Sequence, residues 1–182
     1  TTKITIPSII PPVVANAVIT SGNELEFNDD IEWVGHSYCL YKADDYSIIA
    51  SAQELSKNQF ANHCNPNDLL IFSFYPTKNL GGFGDGGFLT TTRDDLAESL
   101  RKLRVHGMEP RYYHDVVGIN SRLDSLQAAV LRIKLPLLDD WTNQRAQNAI
   151  RYTEMFNHCE LHDAITSPKI DTRGRHVWNQ YV

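Results

Sequence analysis

Short apolar runs along the first half of the chain predict β-strands. The longest, Leu69–Tyr75, is apolar or aromatic except for one serine, which is typical of a strand buried on both faces of a parallel sheet. The spacing of apolar residues and the composition of other short runs predict further strands at Ile4–Pro7, Leu25–Phe27, the stretch around Val34–Leu40, Tyr46–Ile49 and Phe88–Thr92.

Helical spacing of apolar residues predicts two helices between and after these strands. Pro12–Ser21 begins with proline and is followed by Gly22, the asymmetry expected at the two ends of a short helix. Thr92-x-x-Asp95 fits a capping box, and leucines then recur at helical spacing until Gly107.

Two more helices are predicted in the second half of the chain. Ser121-x-x-Asp124 can cap the first, whose apolar stripe contains Leu123, Leu126, Ala129, Val130 and Ile133. Pro136 should end or kink it, and a long helix from about Leu137 to His158 should follow. Strands that alternate with helices predict an α/β fold with a mostly parallel sheet flanked by helices.

Composition and charge exclude several classes of protein. The chain has 182 residues, 42% of them hydrophobic, and a formal net charge of −5, so we expect a globular protein with no nucleic-acid partner. Three widely spaced cysteines indicate neither a disulfide framework nor a zinc site, and a reducing cytoplasm fits them. We expect no membrane association, because no apolar run approaches the length of a span and no signal peptide is recognisable.

One lysine lies where covalent chemistry is plausible. Lys78 follows the strand Leu69–Tyr75 and precedes the glycine-dense stretch Gly81–Gly87. A partly desolvated ammonium loses its proton more readily, and the free amine can attack a carbonyl. For an isolated lysine, the alternative is an ordinary surface residue beside a turn.

The glycines also match a nucleotide-binding pattern. Gly82-x-Gly84-x-x-Gly87 has the spacing of the dinucleotide fingerprint, but in that motif the last glycine opens a helix. Here the glycines lead into the predicted strand Phe88–Thr92, so we interpret them as a tight turn between two strands.

Three motifs resemble the DegT/StrS family of nucleotide-sugar aminotransferases. They are Ser73-Phe74-x-x-x-Lys78-x-Leu80, Gly84-Asp85-Gly86-Gly87, and Gly118-x-Asn120-Ser121-Arg122-Leu123-Asp124-x-Leu126-Gln127-Ala128-Ala129. The resemblance extends from about Ile6 to Val182 and is strong from Leu69 to Tyr152. It implies the large domain of a fold type I enzyme with pyridoxal 5′-phosphate as cofactor, acting on a keto nucleotide sugar with glutamate as amino donor.

The resemblance also implies roles for individual residues. Lys78 would bind the cofactor aldehyde covalently and act as the catalytic acid and base, Ser73 would bind the phosphate, and Gln53 would lie against the pyridine ring. Asn120 would reach the cofactor of a neighbouring subunit in a homodimer, although it could equally cap a helix beside Ser121. We interpret Arg122 and Gln127 as structural.

The resemblance divides the chain into three parts and suggests that it is incomplete. Residues 1–136 would be a partial cofactor-binding domain, 137–158 a connecting helix, and 159–182 the start of a small C-terminal domain. The predicted strands Ile4–Pro7 and His176–Val182 lie at the two ends without neighbours, as expected of a fragment.

One departure from the family pattern affects the expected chemistry. Ala50 lies three positions before Gln53, where the family has an aspartate that pairs with the pyridine nitrogen. Either another acid such as Asp45 fills this role, or electron withdrawal by the ring is weakened. A catalytically impaired or truncated homologue with a binding or assembly role is therefore the alternative function.

Overall fold

A short βαβ unit forms the N-terminal part of the fold. In the computed structural model, which describes residues 1–30, 36–159, 164–168 and 175–181, strand β1 (Lys3–Pro7) pairs in parallel with β2 (Glu24–Asn28). Helix α1 (Pro12–Thr20) connects them, and its predicted proline start and glycine end are confirmed. Gly22 has a φ of +77° after the helix, a conformation that glycine adopts without strain.

A second sheet carries the centre of the chain. Its order is β3 (Tyr38–Lys42), β4 (Ser47–Ala50), β5 (Leu69–Ser73) and β6 (Gly87–Thr90). The core of this sheet contains Ile49, Leu70 and Phe72, and the ring of Phe88 stacks on that of Phe72 at 4.2 Å between centroids. The strand predicted around Val34–Leu40 begins at Tyr38, and Val34 lies outside the described residues.

The α/β class is confirmed, but the sheet is less parallel than we predicted. The β1–β2 and β4–β5 pairings are parallel, whereas β3–β4 and β5–β6 are antiparallel. Residues 43–46 are too short a link for a parallel crossover, which needs about a dozen residues or more. Residues 74–86 are long enough, but they form a folded turn that leads back antiparallel along β5.

The helices agree with the predictions better than their caps do. They are α2 (Gln59–His63), which we did not predict, α3 (Asp94–Leu103), α4 (Ser125–Lys134) and α5 (Leu138–His158), with a 3-10 turn over Leu135–Leu137. The long predicted helix and the interruption at Pro136 are confirmed. None of the helices within the described ranges is long and apolar enough to cross a membrane.

Neither predicted capping box forms at the start of its helix. The Thr92 hydroxyl donates to the carbonyl of Pro66, and the Asp95 carboxylate pairs with Arg93 at 2.6 Å, so no capping box forms at α3. At α4 the cap is Asp124, whose Oδ1 accepts from the Leu126 backbone N–H at 2.7 Å.

The predicted C-terminal strand is also wrong over the residues that the structure describes. Residues 175–181 form no strand, and Trp178 has a φ of +51° that interrupts extended backbone. The segment is held instead by side chains, since the Val177 carbonyl accepts from Arg145 Nε at 3.0 Å. The division into three parts stays a prediction.

Candidate active site

The parallel pair β4 and β5 brings three predicted site residues to one edge of the sheet. Ala50 pairs with Ile71, and the backbone N–H after β4, at Ser51, donates to the Ile71 carbonyl at 2.7 Å. Gln53 therefore follows the end of β4 at the edge where β5 ends with Ser73 and leads to Lys78. In α/β sheets the carboxyl ends of parallel strands are the usual location of ligand sites.

Lys78 lies in a turn that partly shields its side chain. Its backbone N–H donates to the Tyr75 carbonyl at 2.9 Å. Among the residues that the structure describes, no hydrogen-bond or ion-pair partner is found for its ammonium, and burial lowers the pKa of Lys78. Desolvation without a carboxylate partner favours the neutral amine, which is the nucleophilic form.

Helix α4 holds the glycine turn that follows Lys78. Gln127 Oε1 accepts from the Phe83 backbone N–H at 2.7 Å, and Lys134 Nζ donates to the Gly81 carbonyl at 2.7 Å. The turn continues into β6, so our interpretation of the glycines as a strand-to-strand connection is confirmed. The contact made by Gln127 was missed, because a glutamine on an amphipathic helix gives no sign of its distant partner.

The other side of the site is closed by the C-terminal segment. Gln53 is buried, and its Oε1 accepts from Asn179 Nδ2. The neighbouring Val177 is 1% exposed, and its carbonyl also lies 3.4 Å from Nδ2 of Asn79, the residue next to Lys78. Asn179 was not predicted as a site residue, because it lies in a β-prone run with no recognisable motif.

Behind Gln53 lies a set of buried polar residues that we call the Glu54 cluster. Its members are Ser37, Ser51, Glu54, Gln59 and His63. Glu54 Oε2 accepts from Ser37 Oγ at 2.9 Å and from the Ser37 backbone N–H at 3.2 Å. His63 Nε2 lies 3.3 Å from Glu54 Oε1, an ion pair when the imidazole is protonated.

The protonation of Glu54 is set by two opposing effects. Burial raises the pKa of its carboxyl, but the contacts with His63 and Ser37 together outweigh burial and lower this pKa below its ordinary value. The carboxylate is therefore charged at neutral pH and is fully engaged within its cluster.

The edge of the sheet has no acid at position 50. Ala50 is half-buried at the end of β4. Asp45, which we had considered as a substitute, precedes β4 and pairs with Arg93 at 3.0 Å, at the opposite end of the strand. Asp45 is thus wrongly placed to serve the site, because the ligand edge is the carboxyl end of β4.

Asn120 is separated from the other predicted site residues. It is exposed, its backbone bridges to Val105, and its Oδ1 accepts from Arg122 Nε at 3.1 Å. No contact in the described part of the chain joins it to Lys78, Ser73 or Gln53. The alternative role as a helix cap is wrong, since Asp124 caps α4.

A family model and several curated proteins match the sequence. The model described as the DegT/DnrJ/EryC1/StrS aminotransferase family matches residues 51–182. The pleiotropic regulatory protein of Geobacillus stearothermophilus is 51% identical over 112 residues, which are 61% of this chain and 30% of that protein. A dTDP-3-amino-3,4,6-trideoxy-alpha-D-glucose transaminase of Streptomyces venezuelae is 56% identical over 86 residues, 47% of this chain and 23% of that protein.

Solved structures share the fold over almost the whole chain. A DegT DnrJ EryC1 StrS aminotransferase from Brucella abortus is 26% identical with a TM-score of 0.75, covering 99% of this chain and 58% of that chain. The predicted fold type I is thereby confirmed. The chain spans about 30% of the first curated relatives it matches and a little over half of this solved structure.

Proposed function

We propose that this chain, which belongs to the DegT/DnrJ/EryC1/StrS aminotransferase family, forms the lysine-bearing part of a nucleotide-sugar aminotransferase. The observation that carries this proposal is Lys78 itself. Its amine is half-buried, has a lowered pKa, and lies at the ligand edge of the sheet between Ser73 and a glycine turn held by α4.

The family depends on pyridoxal 5′-phosphate, and the residues at this edge fit that cofactor. Within the part of the chain that the structure describes, the Lys78 amine has no carboxylate partner, so it is available to an aldehyde. The Ser73 hydroxyl accepts from the Tyr75 backbone N–H at 3.2 Å, which leaves its own proton for a phosphate oxygen. Gln53 lies at the same edge as Lys78, where it can contact the ring. When bound, the cofactor supplies an electron sink for carbanion chemistry.

The chain's own residues account for orientation and proton transfer. Lys78 Nζ, with its lowered pKa, can accept a proton from the α-carbon of an amino donor and later return it. Asn179 would orient Gln53 through its side-chain amide, and the buried Val177 lies next to this contact in the C-terminal segment.

Keto nucleotide sugars and glutamate are the substrates that we propose. The Streptomyces venezuelae relative acts, by its name, on a dTDP-linked amino sugar, and an Acidithiobacillus ferrooxidans relative on a UDP-linked one. The three free cysteines are compatible with the cytoplasmic location that we predict.

A homodimer is part of the same proposal. The apolar stripe of α4 is exposed, with Leu126 at 78% and Ile133 at 74%, and Val117 nearby in sequence is 97% exposed. Apolar side chains exposed to this extent along one helix face are typical of a surface that packs against another subunit. Asn120, which is exposed close to the start of α4 in sequence, would then be available to the partner's site.

The test of this function is covalent attachment at Lys78. Protein incubated with pyridoxal 5′-phosphate should turn yellow, and borohydride reduction followed by peptide mass spectrometry should place the label on Lys78. Lys78→Ala should abolish the label, whereas Lys57→Ala, at a side chain that is 86% exposed, should not. A label on another lysine contradicts the assignment.

The absence of a carboxylate at Ala50 favours one alternative, an impaired homologue with a binding or assembly role. Such a protein would stay colourless in the same experiment. Without an acid beside the pyridine nitrogen, the electron sink is weaker, so slow transamination with normal cofactor attachment would indicate an intermediate case.

A further inference from the structure

We propose that Gln127 is a positioning residue, which fixes Lys78 by holding the glycine turn in one conformation. The proposal rests on the proposed function for the role of Lys78, but not for the contacts themselves. It changes our interpretation of Gln127 from a structural helix residue to a part of the active site that acts through the turn.

Gln127 of α4 contacts the glycine turn closely. Gln127 Oε1 accepts from the Phe83 backbone N–H at 2.7 Å. A Cβ on Gly82 would lie 2.7 Å from this same Oε1, and a Cβ on Gly84 would lie 3.0 Å from Gln127 Nε2. The backbone therefore wraps closely around the amide, and these two glycines are needed for that approach.

The glycine turn also contacts the backbone on both sides of Lys78. The Gly82 backbone N–H donates to the Phe74 carbonyl at 2.7 Å, which closes residues 74–82 into a loop. Gly81 packs on the turn before Lys78, since a Cβ there would lie 2.3 Å from the Pro76 carbonyl oxygen. Movement of the glycine turn must therefore move the backbone that carries Lys78.

A second residue of α4 acts at the same place. Lys134 Nζ donates to the Gly81 carbonyl at 2.7 Å and lies 5.3 Å from the centre of the Phe83 ring. Gln127 and Lys134 are seven residues apart and so lie on the same face of the helix. The capped helix thus holds the turn at two points.

The contacts between α4 and the glycine turn keep the Lys78 side chain partly buried. Burial lowers the pKa of Lys78, and Lys134 is a charged group that contacts the turn from α4. Loss of the Gln127 contact should let the turn open and solvate the ammonium. The reactivity of Lys78 at neutral pH should then fall.

The test measures Lys78 without requiring the cofactor. The pH dependence of acetylation at Lys78 would be followed by peptide mass spectrometry in wild type, Gln127→Met and Gln147→Met, the last at an exposed position on α5. In Gln127→Met the acetylation rate of Lys78 at pH 7.5 should fall by about threefold to tenfold. The reason is that a rise of one pKa unit lowers the neutral fraction of an amine about tenfold. Gln147→Met should match wild type.

Two further variants keep the result interpretable. Gln127→Glu retains an acceptor for the Phe83 N–H, so hydrogen exchange at residues 81–84 should stay protected in it and become faster in Gln127→Met. Lys134→Met, which removes the contacts of the ammonium with the Gly81 carbonyl and the Phe83 ring, should lower Lys78 reactivity in the same direction and serves if Gln127→Met fails to fold.

The possible outcomes separate this proposal from the proposed function. An unchanged Lys78 profile in both Gln127→Met and Lys134→Met would overturn the positioning role even if pyridoxal 5′-phosphate attaches to Lys78. A shifted profile supports the role even if no variant binds the cofactor, in which case the proposed function fails alone.

Discussion

The Glu54 cluster makes a quantitative prediction about stability. Its central pair is almost fully buried, since the side chains of His63 and Glu54 are 2% and 5% exposed. Glu54→Ala leaves His63 without its carboxylate and the Ser37 backbone N–H without its acceptor. Breaking a buried pair by removing one partner costs about 3–5 kcal/mol, so the free energy of unfolding should fall by that amount.

A conservative variant separates charge from hydrogen bonding. Glu54→Gln keeps an oxygen that can accept from Ser37 but removes the charge beside His63. We expect a loss of about 1.5–3 kcal/mol, the usual range for a hydrogen bond to a charged group. The matched control is Glu98→Gln at an exposed pair with Lys102 on α3, where the change should stay within about 0.5 kcal/mol.

The pH dependence has a definite sign. The pKa of Glu54 is lowered in the folded protein, so its contribution is fully present above the unfolded pKa and is lost as the pH falls through the folded pKa. Urea unfolding of wild type and Glu54→Gln should therefore differ most above about pH 5 and converge in more acidic solution. A Glu54→Gln variant as stable as wild type at pH 7 would refute the reasoning.

Two other predictions concern chemistry and assembly. Ala50→Asp should raise the rate of the glutamate half-reaction of a cofactor-loaded protein, because a carboxylate at this position would face the pyridine nitrogen. The rate would be measured by stopped-flow absorbance, and an unchanged rate would show that position 50 does not face the ring. If the proposed homodimer forms through α4, Leu126→Glu should raise its dissociation constant by at least about tenfold in sedimentation, because it would place a charge in an apolar interface. Val13→Glu on α1, where Val13 is 68% exposed, should not. A dimer that survives Leu126→Glu would place the interface elsewhere.

The sequence predicted the elements around the site better than the contacts between them. The apolar run at β5 and the helical spacing of α4 are local patterns, and both elements lie where we expected. Helix α2 was missed because five residues are too few to show a helical period. The capping box predicted at α3 is wrong because Thr92 and Asp95 bind other partners, and at α4 Asp124 rather than Ser121 caps the helix.

The contacts that complete the site connect distant parts of the chain. Gln53 meets Asn179 across 126 residues, and Gln127 meets Phe83 across 44. Neither contact has a spacing that a single sequence could reveal. The carboxyl-edge position of Gln53 and Lys78 follows instead from the parallel pairing of β4 with β5, which was predictable only once the fold class was assumed.

Helix α4 links the proposed dimer surface to Lys78. The stripe that we predicted from apolar spacing is mainly exposed at Leu126 and Ile133, whereas Gln127 and Lys134 contact the glycine turn. One face of a ten-residue helix thus fits a second subunit while another holds the turn that carries Lys78. Association of two copies on the apolar face would restrain the helix, and through it the turn. The reactivity of Lys78 should for this reason depend on the same helix that would join the subunits of the proposed dimer.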